Sequence, residues 1–349
     1  MATTTVTVDT ELLTATSIEA AKEARDLQFL DTPFLNELDR VHGKGKPNKT
    51  SGHTWVGGFN VGDHSSPTRM RTGFEQLNLS FASVLEPMKI TPGEICYPVG
   101  ISKTEEDNNG GALQTLNMAS ERVEAVMGQA KRDFEQHMLI GGVAGFEDFY
   151  SLNGLDYADG FLEGTAPSGQ SNVIGGFSKA TYAALPGSQN QVFDVANNFN
   201  ALGNIGIDRV IFAAKPRTGT RTNMAAICSQ KFMENYKRTL LPNERYASSE
   251  NLDAHNLELY INGVKGMISP ILGSYTPVSS SDVVSMMLLD LNEIYFMWSN
   301  ITRDGYFGFS NWEDIRNGYN VRVAEILVRG QTWVKGWASS GVILNAEQY

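Results

Sequence analysis

The sequence is poor in the residues that carry most metal and redox chemistry. Among 349 residues there are two cysteines and five histidines. Cys96 and Cys228 lie far apart and neither belongs to a CxxC pair, so no disulfide framework or zinc site is indicated. The histidines form no HExxH motif and no paired metal spacing. We therefore expect the protein to have no metal ion and no cofactor.

Motifs for nucleophilic and phosphate chemistry are also missing. The nearest approach to a nucleophile elbow is "GFSKA" at 176–180, which lacks the final glycine and a preceding strand. The basic stretch "HGKGKPNKT" does not have the spacing of a phosphate loop. The acidic stretch "DYADG" lacks the alternating ligands of a calcium loop. We therefore expect no enzyme activity, and an enzyme with an unrecognised site is the least favoured alternative.

The chain has few charged residues, and its net charge is negative. Charged residues make up 19% of the chain, whereas about 25% is usual for a soluble domain. Few charges are typical of a surface that partners cover. The net charge of −11 argues against general nucleic-acid binding, because phosphate contacts need clustered Lys and Arg, so any DNA contact would be non-specific.

Long hydrophobic runs and targeting segments are absent as well. No apolar run approaches the ~18 residues that a membrane-spanning helix needs. The first ten residues, "MATTTVTVDT", have neither the positive region nor the apolar core of a secretory signal. We expect a soluble chain made in a cytoplasm, without a membrane partner.

The first third of the chain predicts an arm, two helices and a β-ribbon. Residues 1–17 are Thr-rich without a period, which is typical of an extended arm. Helical spacing follows in "IEAAKEARDLQFLD" and in "PFLNELDRVH", which Pro33 opens. From 43 to about 110, alternating segments such as "HTWVGGFNV" and "LNLSFASVLEPMKI" predict strands. A two-stranded ribbon is unstable alone in water, so it must fold back on its own domain or contact another chain.

One long amphipathic helix follows the ribbon. We expect "EEDNNGG" to supply its N-cap and acidic first turn, and Gly141-Gly142 to end it. Apolar residues recur at steps of three, four or seven, which predicts a stripe over about eight turns and a length on the order of 40 Å. The stripe consists of Leu113, Leu116, Val123, Val126, Met127, Ala130, Phe134 and Met138. The face opposite this stripe carries charged residues, which are Glu121, Arg122, Glu124, Lys131, Arg132, Asp133 and Glu135.

The second half predicts mixed α and β structure. A turn-dense stretch covers 143–205, with Asn153-Gly154 and Asp159-Gly160 as turn pairs. We expect a short buried strand at 207–214 ("IDRVIFAA") and an amphipathic helix in "TNMAAICSQKFMENYKR". Asn262-Gly263 predicts a hairpin. Strands are predicted in "VVSMMLLDL", in "EIYFMW" and in the alternating last forty residues.

Aromatic residues crowd the last fifth of the chain. Their favoured interpretation is the core of a sheet, and the alternative is a subunit interface, where aromatic residues are enriched. The residues are Trp298, Tyr306, Phe307, Phe309, Trp312, Tyr319, Trp333 and Trp337.

The order of these parts resembles the major capsid proteins of tailed bacteriophages, which share the Hong Kong 97-type fold. The shared order is arm, helix, long ribbon, one long helix, turn-dense loop, mixed α/β region and a final return of long strands. Local segments that resemble the family include "QFLDTPFLNEL", "GFEDFYSLNGLDYADG", "LELYINGVKGMISP" and "DIRNGYNVRVAEILVRGQTWVKGWASSGVI". The resemblance spans about residues 25–345, and the joint order is more specific than any one segment.

The resemblance implies an α+β fold divided into the family's parts. The long helix would be the spine of a peripheral domain, and the ribbon would be the extended loop (E-loop) that reaches over a neighbour. The implied ranges are 1–42 for the arm and first helix, 43–106 for the E-loop, 107–195 for the peripheral domain with its spine, 196–310 for the axial domain and 311–349 for the return strands of the peripheral domain.

The resemblance also implies a structural role. The chain would assemble into pentamers and hexamers of an icosahedral head shell around double-stranded DNA, with portal, scaffold and decoration proteins as further partners. It would reside in the virion after assembly in the host bacterial cytoplasm. Intersubunit contacts are expected at Trp55, Phe59, Arg69 and Arg71 of the ribbon. Cellular nanocompartment shells (encapsulins) use the same fold, so that role remains an alternative.

Overall fold

The structure is a computed structural model. The described residues are 32–43, 46–48, 54–63, 83–109, 118–152, 161–162, 173–182, 185, 187–214, 223–240, 259–272, 283–299, 307–310, 312–314 and 320–349. The predicted arm, the helix predicted at 18–31 and the two turn pairs at 153–160 lie outside these residues.

The first described helix, α1, spans Pro33–His42, as the sequence predicts. Proline opens it because an N1 residue needs no N–H for the helix. Its first turn is held by a residue of the long helix, since the Leu35 N–H donates to Glu135 Oε2 at 3.0 Å. The Glu135 side chain is fully buried, so its assignment to the charged face opposite the apolar stripe is wrong. A carboxylate suits this place because it satisfies an orphan donor and the positive end of the helix dipole.

The long helix is confirmed over the residues that the structure describes. It spans Met118–Leu139 as α3, and its 22 residues extend about 33 Å. Gly141 and Gly142 follow it with φ of 88° and 76°, a left-handed conformation that glycine adopts without strain. The first part of the segment "EEDNNGG" belongs to a short helix, α2 (Lys103–Asn109), and its role as the cap of the long helix stays a prediction, because residues 110–117 lie outside the described residues. Of the predicted stripe, Leu113 and Leu116 lie outside the described residues.

Burial divides α3 into two halves. Ala130, Phe134 and Met138 are at most 1% exposed, and Phe134 and Met138 belong to the main core. Val123, Val126 and Met127, in the N-terminal half, are half-buried. The C-terminal half is therefore a core helix, and the N-terminal half projects along the surface.

The first sheet is built around one long strand. β15 (Val321–Val334) pairs antiparallel with β4 (Gly93–Ser102) over ten residues, and with β12 (Ile294–Ser299) beyond the end of β4. Gly330 is the residue of β15 at which the pairing changes from β4 to β12. A Cβ at this position would lie 2.4 Å from the Met297 carbonyl oxygen. The short strands β1 (Lys46–Asn48), β13 (Gly308–Phe309) and β14 (Glu313–Asp314) complete the sheet.

The second sheet is buried on both faces. Its order is β7 (Gln191–Asp194), β16 (Gly341–Leu344), β11 (Val284–Asp290), β8 (Met224–Cys228), β10 (Val264–Ile268) and β9 (Leu259–Ile261). Alternate residues face opposite sides. Ala226, Cys228 and Met286 belong to a core with α4 (Phe199–Ala213) and α5 (Gln230–Leu240), whereas Ile227 and Met287 join the main core.

Two predicted elements in this region are wrong. Residues 207–214 are not a strand, because they continue α4, which Asn198 caps by accepting the Ala201 N–H. Ile207, Val210 and Ile211 are buried while Asp208 and Phe212 are exposed, which is helical spacing. The helix predicted in "TNMAAICSQKFMENYKR" is a buried strand, β8, followed by α5. The hairpin at Asn262-Gly263 is confirmed, with φ of 48° and 83°.

The chain passes more than once between the two sheets. β12 lies within the predicted axial range but pairs in the first sheet, and β16 lies within the predicted return range but pairs in the second. The domain ranges remain a prediction. Two small hairpins complete the fold: the ribbon β2 (Trp55–Asn60) with β3 (Leu85–Ile90), and β5 (Val173–Ile174) with β6 (Phe177–Ser178).

Candidate functional site

The inner face of the ribbon is anchored to the body of its own chain. Trp55 is 5% exposed and belongs to the main core. Phe59 packs on Phe177 and Trp337, with ring centroids 5.0 and 4.8 Å away. The Lys89 N–H donates to the Gly175 carbonyl at 2.7 Å, which ties β3 to the β5–β6 hairpin. The root of the ribbon is therefore fixed in position.

Close approach at the root depends on a glycine. A Cβ at Gly57 would lie 2.2 Å from Cζ2 of Trp333, far inside van der Waals contact. The indole therefore lies directly beneath β2. The neighbouring strand residues leave no room for the ring to move, because Trp333 is 6% exposed and part of the main core.

The outer face of the ribbon is exposed and carries two apolar side chains. Val56 and Leu85 are 62% and 66% exposed. In the strand register Val56 lies opposite Lys89, and Leu85 lies opposite Asn60, so both apolar side chains point away from the body. We call this surface, made by Val56, Asn60, Leu85 and Lys89, the outer ribbon face.

A second exposed apolar surface lies on α4. Ile205 and Phe212 are 56% and 66% exposed, and their separation of seven residues places them on one side of the helix. The exposed Tyr260 of β9 is nearby in the fold, since the Asn262 side-chain amide donates to Asp208 of α4. We call Ile205, Phe212 and Tyr260 the α4 face.

An ion pair with two hydrogen bonds holds the projecting half of α3 in place. Arg122 donates through Nη1 and Nη2 to the two oxygens of Glu105, at 3.0 and 2.9 Å, and through Nη1 to the Gly100 carbonyl at 2.9 Å. The hydrogen bonds from Arg122 lower the pKa of Glu105. Nearer the centre, the Tyr97 hydroxyl donates to Asp133 at 3.1 Å, and burial raises the pKa of Tyr97. Both carboxylates therefore serve to hold α3 against β4 and α2.

The surroundings of His137 and of the two cysteines indicate structural roles. His137 is buried, stacks on Phe146 at 5.1 Å and donates from Nε2 to the Phe149 carbonyl at 2.8 Å. Burial lowers the pKa of His137, which favours the neutral imidazole in the folded chain. Both described cysteines are free thiols, and burial raises the pKa of each.

The described residues contain neither a metal-binding cluster nor a membrane-spanning helix. Within them, no group of three or more His, Cys, Asp or Glu side chains could hold a metal ion. No helix there is both long and apolar enough to cross a bilayer. The surfaces that remain as functional candidates are the outer ribbon face and the α4 face.

The four residues predicted to contact other subunits have different surroundings. Trp55 and Phe59 lie together on the inner face of the ribbon, against their own chain. Arg69 and Arg71 lie outside the described residues. The intersubunit role of these four residues remains a prediction. The exposed pair Val56 and Leu85 was not predicted, because the two faces of this strand have similar residues and the sequence does not show which face points inward.

The aromatic cluster favours the core interpretation for its largest members. Trp333 and Trp337 are 6% and 1% exposed. Phe309 is 45% exposed beside Trp312, with centroids 6.4 Å apart. The outer part of the cluster therefore remains compatible with an interface.

Comparisons with known proteins place this geometry among capsid shells. No protein-family model matches the chain, and no curated protein does. Among solved structures, the capsid asymmetric unit of cyanophage A-1(L) is similar with a TM-score of 0.63 at 13% identity, covering 97% of this chain and 99% of that one. The capsid of an empty GTA particle gives 0.59 at 12% identity, with 93% of each chain covered. The SrpI encapsulin of Synechococcus elongatus gives 0.56 at 11% identity, with 96% of each covered.

The likeness shows the fold. It extends over nearly the whole of both chains, so it concerns the complete architecture and not one shared motif. The prediction of an α+β, Hong Kong 97-like fold of the tailed-phage major capsid type is confirmed.

Proposed function

We propose that this protein is a shell-forming capsid subunit, a major coat protein of a tailed phage. The observation that carries the proposal is the end-to-end likeness to the cyanophage A-1(L) capsid chain, 97% of this chain on 99% of that one. A shell subunit needs no catalytic centre. It needs a rigid body and surfaces that are complementary to its own copies.

The exposed apolar surfaces support this role. A subunit that stayed a monomer would place Val56, Leu85, Ile205 and Phe212 in water, at exposures of 56–66%. Covering apolar area stabilises an interface by roughly 25 cal/mol per Å². Each subunit in a closed lattice repeats the same contacts, so small interfaces add up over the whole shell. We propose that the outer ribbon face and the α4 face are covered by neighbouring copies.

The finer arrangement follows the family resemblance. Copies would meet as pentamers and hexamers, with the axial domain at their centres and the ribbon reaching over a neighbour. The shell would enclose double-stranded DNA in the virion, after assembly in the host cytoplasm with scaffold and portal proteins. The net charge of −11 fits a wall that does not trap the genome by non-specific contacts.

A cellular nanocompartment is the second candidate. The likeness to the encapsulin of Synechococcus elongatus, at a TM-score of 0.56, favours keeping it. The two candidates differ in what the shell encloses, and therefore the contents of purified particles distinguish them. DNA would indicate the phage role, and an enzyme cargo would indicate the compartment.

The test targets the outer ribbon face. We expect the double variant Val56→Asp, Leu85→Asp to remain folded and to form no particles, because two charges would be buried at each copy of the interface. Circular dichroism and thermal unfolding check the fold, and sedimentation velocity with electron microscopy checks assembly. The variant Val56→Thr is the matched control, since threonine keeps the shape and strand propensity without a charge, and it should assemble.

Normal particles from the double aspartate variant would contradict the proposed role of this face. The separate prediction for Arg69 and Arg71 is tested in the same assay by substituting both with Ala. If that variant forms normal particles, those two arginines have no role in assembly, while the role of the outer ribbon face is unaffected.

A further inference from the structure

One edge of the second sheet is open among the described residues. β7 pairs with β16 through alternate residues, because the N–H groups of Gln191 and Val195 donate to carbonyls of the β16 segment. The N–H and C=O groups of Val192 and Asp194 therefore point to the opposite side. β7 is an outermost strand of this sheet, so no described strand pairs with it there.

The edge of the first sheet is protected by features that β7 lacks. β4 contains Pro98, which has no N–H to offer. The Ser102 N–H donates to Glu105, and the Gly100 carbonyl accepts from Arg122. β7 contains no proline and no lysine, and its pairing with β16 has no bulge. Because proteins normally protect or cover their sheet edges, we expect a further segment to cover β7.

A groove of about 290 Å³ lies beside this edge. β7 forms one wall, and Arg209, Val210 and Ala213 of α4 form the other. The Arg209 guanidinium lies 5.7 Å from the Phe193 ring centroid, and it makes no ion pair with a described residue. Its N–H groups are therefore available to a carboxylate. An open strand edge beside such a cation suits an extended segment with an acidic side chain.

Residues 3–11 of the chain have the composition of such a segment. They precede the described residues, and their sequence is "TTTVTVDTE". It is rich in β-branched residues and contains neither proline nor glycine, which favours a strand. In a strand, Val6 and Val8 would share one face, and Asp9 and Glu11 would share the other.

The two faces of this segment match the two sides of β7. Val192 is half-buried against the main core, whereas Phe193 packs on the α4 side. The two valines would continue the side of Val192, and the two carboxylates would then lie on the α4 side, where Arg209 is. Asp194 lies on the Val192 side, and two donors of its own chain already occupy its Oδ1. It therefore does not compete for Arg209.

The chain is long enough to bring this segment to β7 within one subunit. Glu37 of α1 pairs with Lys265 of β10 at 3.5 Å, and β10 lies four strands from β7, about 19 Å across the sheet. Between Asp9 and Thr32 the chain can span roughly 50 Å even if residues 18–31 are helical, as the sequence predicts.

We propose that residues 3–11 add to the open edge of β7 in their own subunit as a seventh strand, with Asp9 paired to Arg209. The segment would close an edge that could otherwise pair with other copies in the wrong way. The inference is independent of the proposed shell role, because the site is complete within one chain.

Hydrogen exchange in the full-length, unassembled subunit tests this proposal at two amides. We expect Val192 and Asp194 to exchange at least about tenfold more slowly in the wild type than in the variant Val6→Pro, Thr7→Pro. Two consecutive prolines remove an N–H that faces β7 whichever way the segment runs. Val6→Ile, Thr7→Val is the matched control, since it keeps the N–H groups and the strand propensity, and its exchange should remain slow. Residue-resolved mass spectrometry reads the rates.

Charge reversal tests the assigned ion pair. Arg209→Glu should speed exchange at the two amides by up to about fivefold, and adding Asp9→Lys should restore the slow rate. The Val195 amide, which donates to the Leu344 carbonyl within the sheet, is the reference and should stay slow in every variant. Without rescue by Asp9→Lys, the assignment of this pair is wrong.

Fast exchange of both outward amides in the wild type would overturn the proposal, since the edge would then be open. Slow exchange that persists in the proline variant would overturn it as well, because another segment would cover β7. A dilution series identifies the source of the strand. Rates that do not depend on protein concentration support a segment of the same subunit, and protection that is lost on dilution would contradict it.

Discussion

At the scale of single residues, His137 is a buried group whose ionisation we expect to affect the stability of the subunit. It is 2% exposed, its Nε2 proton is donated to Phe149, and Nδ1 has no partner among the described residues. Burial lowers its pKa in the folded chain, although the Phe149 hydrogen bond and Glu147 partly oppose this. Protonation would place a second N–H and a charge in the core.

The expected result is a loss of stability in mild acid. The unfolded chain binds a proton near pH 6.5 and the folded chain does so at lower pH, so folding excludes a proton between these values. Stability from the neutral His137 is therefore full above about pH 6.5 and falls as the pH drops through that window, by at most about 1.4 kcal/mol per pH unit. Urea unfolding of the unassembled subunit at several pH values from 7.5 to 5 measures this change in the free energy of unfolding.

The variant His137→Gln isolates this contribution. Glutamine can still donate to the Phe149 carbonyl but does not titrate, so its stability should depend less steeply on pH than that of the wild type. Parallel pH profiles for the two proteins would show that His137 does not set the acid sensitivity.

A second residue-scale prediction concerns Gly57. Alanine there would place a Cβ about 2.2 Å from Trp333, so the ribbon root or the indole must move. We expect Gly57→Ala to lower the free energy of unfolding by about 1–3 kcal/mol, the usual cost of overpacking. Gly58→Ala is the control, since a Cβ at Gly58 meets nothing within 4 Å. Equal stabilities of the two variants would contradict the close contact.

At the scale of elements, α3 divides into a core half and a projecting half. Phe134 is 1% exposed and meets Phe296 edge to face at 4.8 Å, so Phe134→Ala should cost about 3–5 kcal/mol of subunit stability. Val126 is half-buried in the projecting half, and Val126→Ala should cost less than about 1 kcal/mol. Chemical denaturation of both variants checks the difference. Similar costs would mean that the projecting half also belongs to the core.

Sequence periodicity predicted the helices and strands better than it predicted which of their faces is buried. The spacing in α1 and the Asn262-Gly263 turn are local, so the sequence predicted both. The stretch at 207–214 was assigned to a strand because Val and Ile dominate it, whereas its helical state depends on the Asn198 cap and on packing against the second sheet. Glu135 was assigned to the face opposite the apolar stripe because its partner, the α1 backbone, lies 100 residues away. The exposure of Val56 and Leu85 likewise follows from tertiary packing alone.

At the scale of the whole molecule, the fold combines a rigid body with exposed surfaces at different places. The main core packs the two sheets together, a separate core lies between the second sheet and the helices α4 and α5, and the ribbon root and α3 are fixed to the main core. The outer ribbon face and the α4 face belong to different parts of the fold. This arrangement suits a subunit that contacts several neighbours at once, as a closed lattice requires.

The most direct test of the shell role is electron microscopy of the purified protein at near-physiological salt, with sedimentation velocity on the same sample. Our account predicts closed round shells or rings of five and six subunits, sedimenting far faster than a 38.3 kDa monomer. A protein that stays monomeric, also after scaffold protein or host lysate is added, would contradict it.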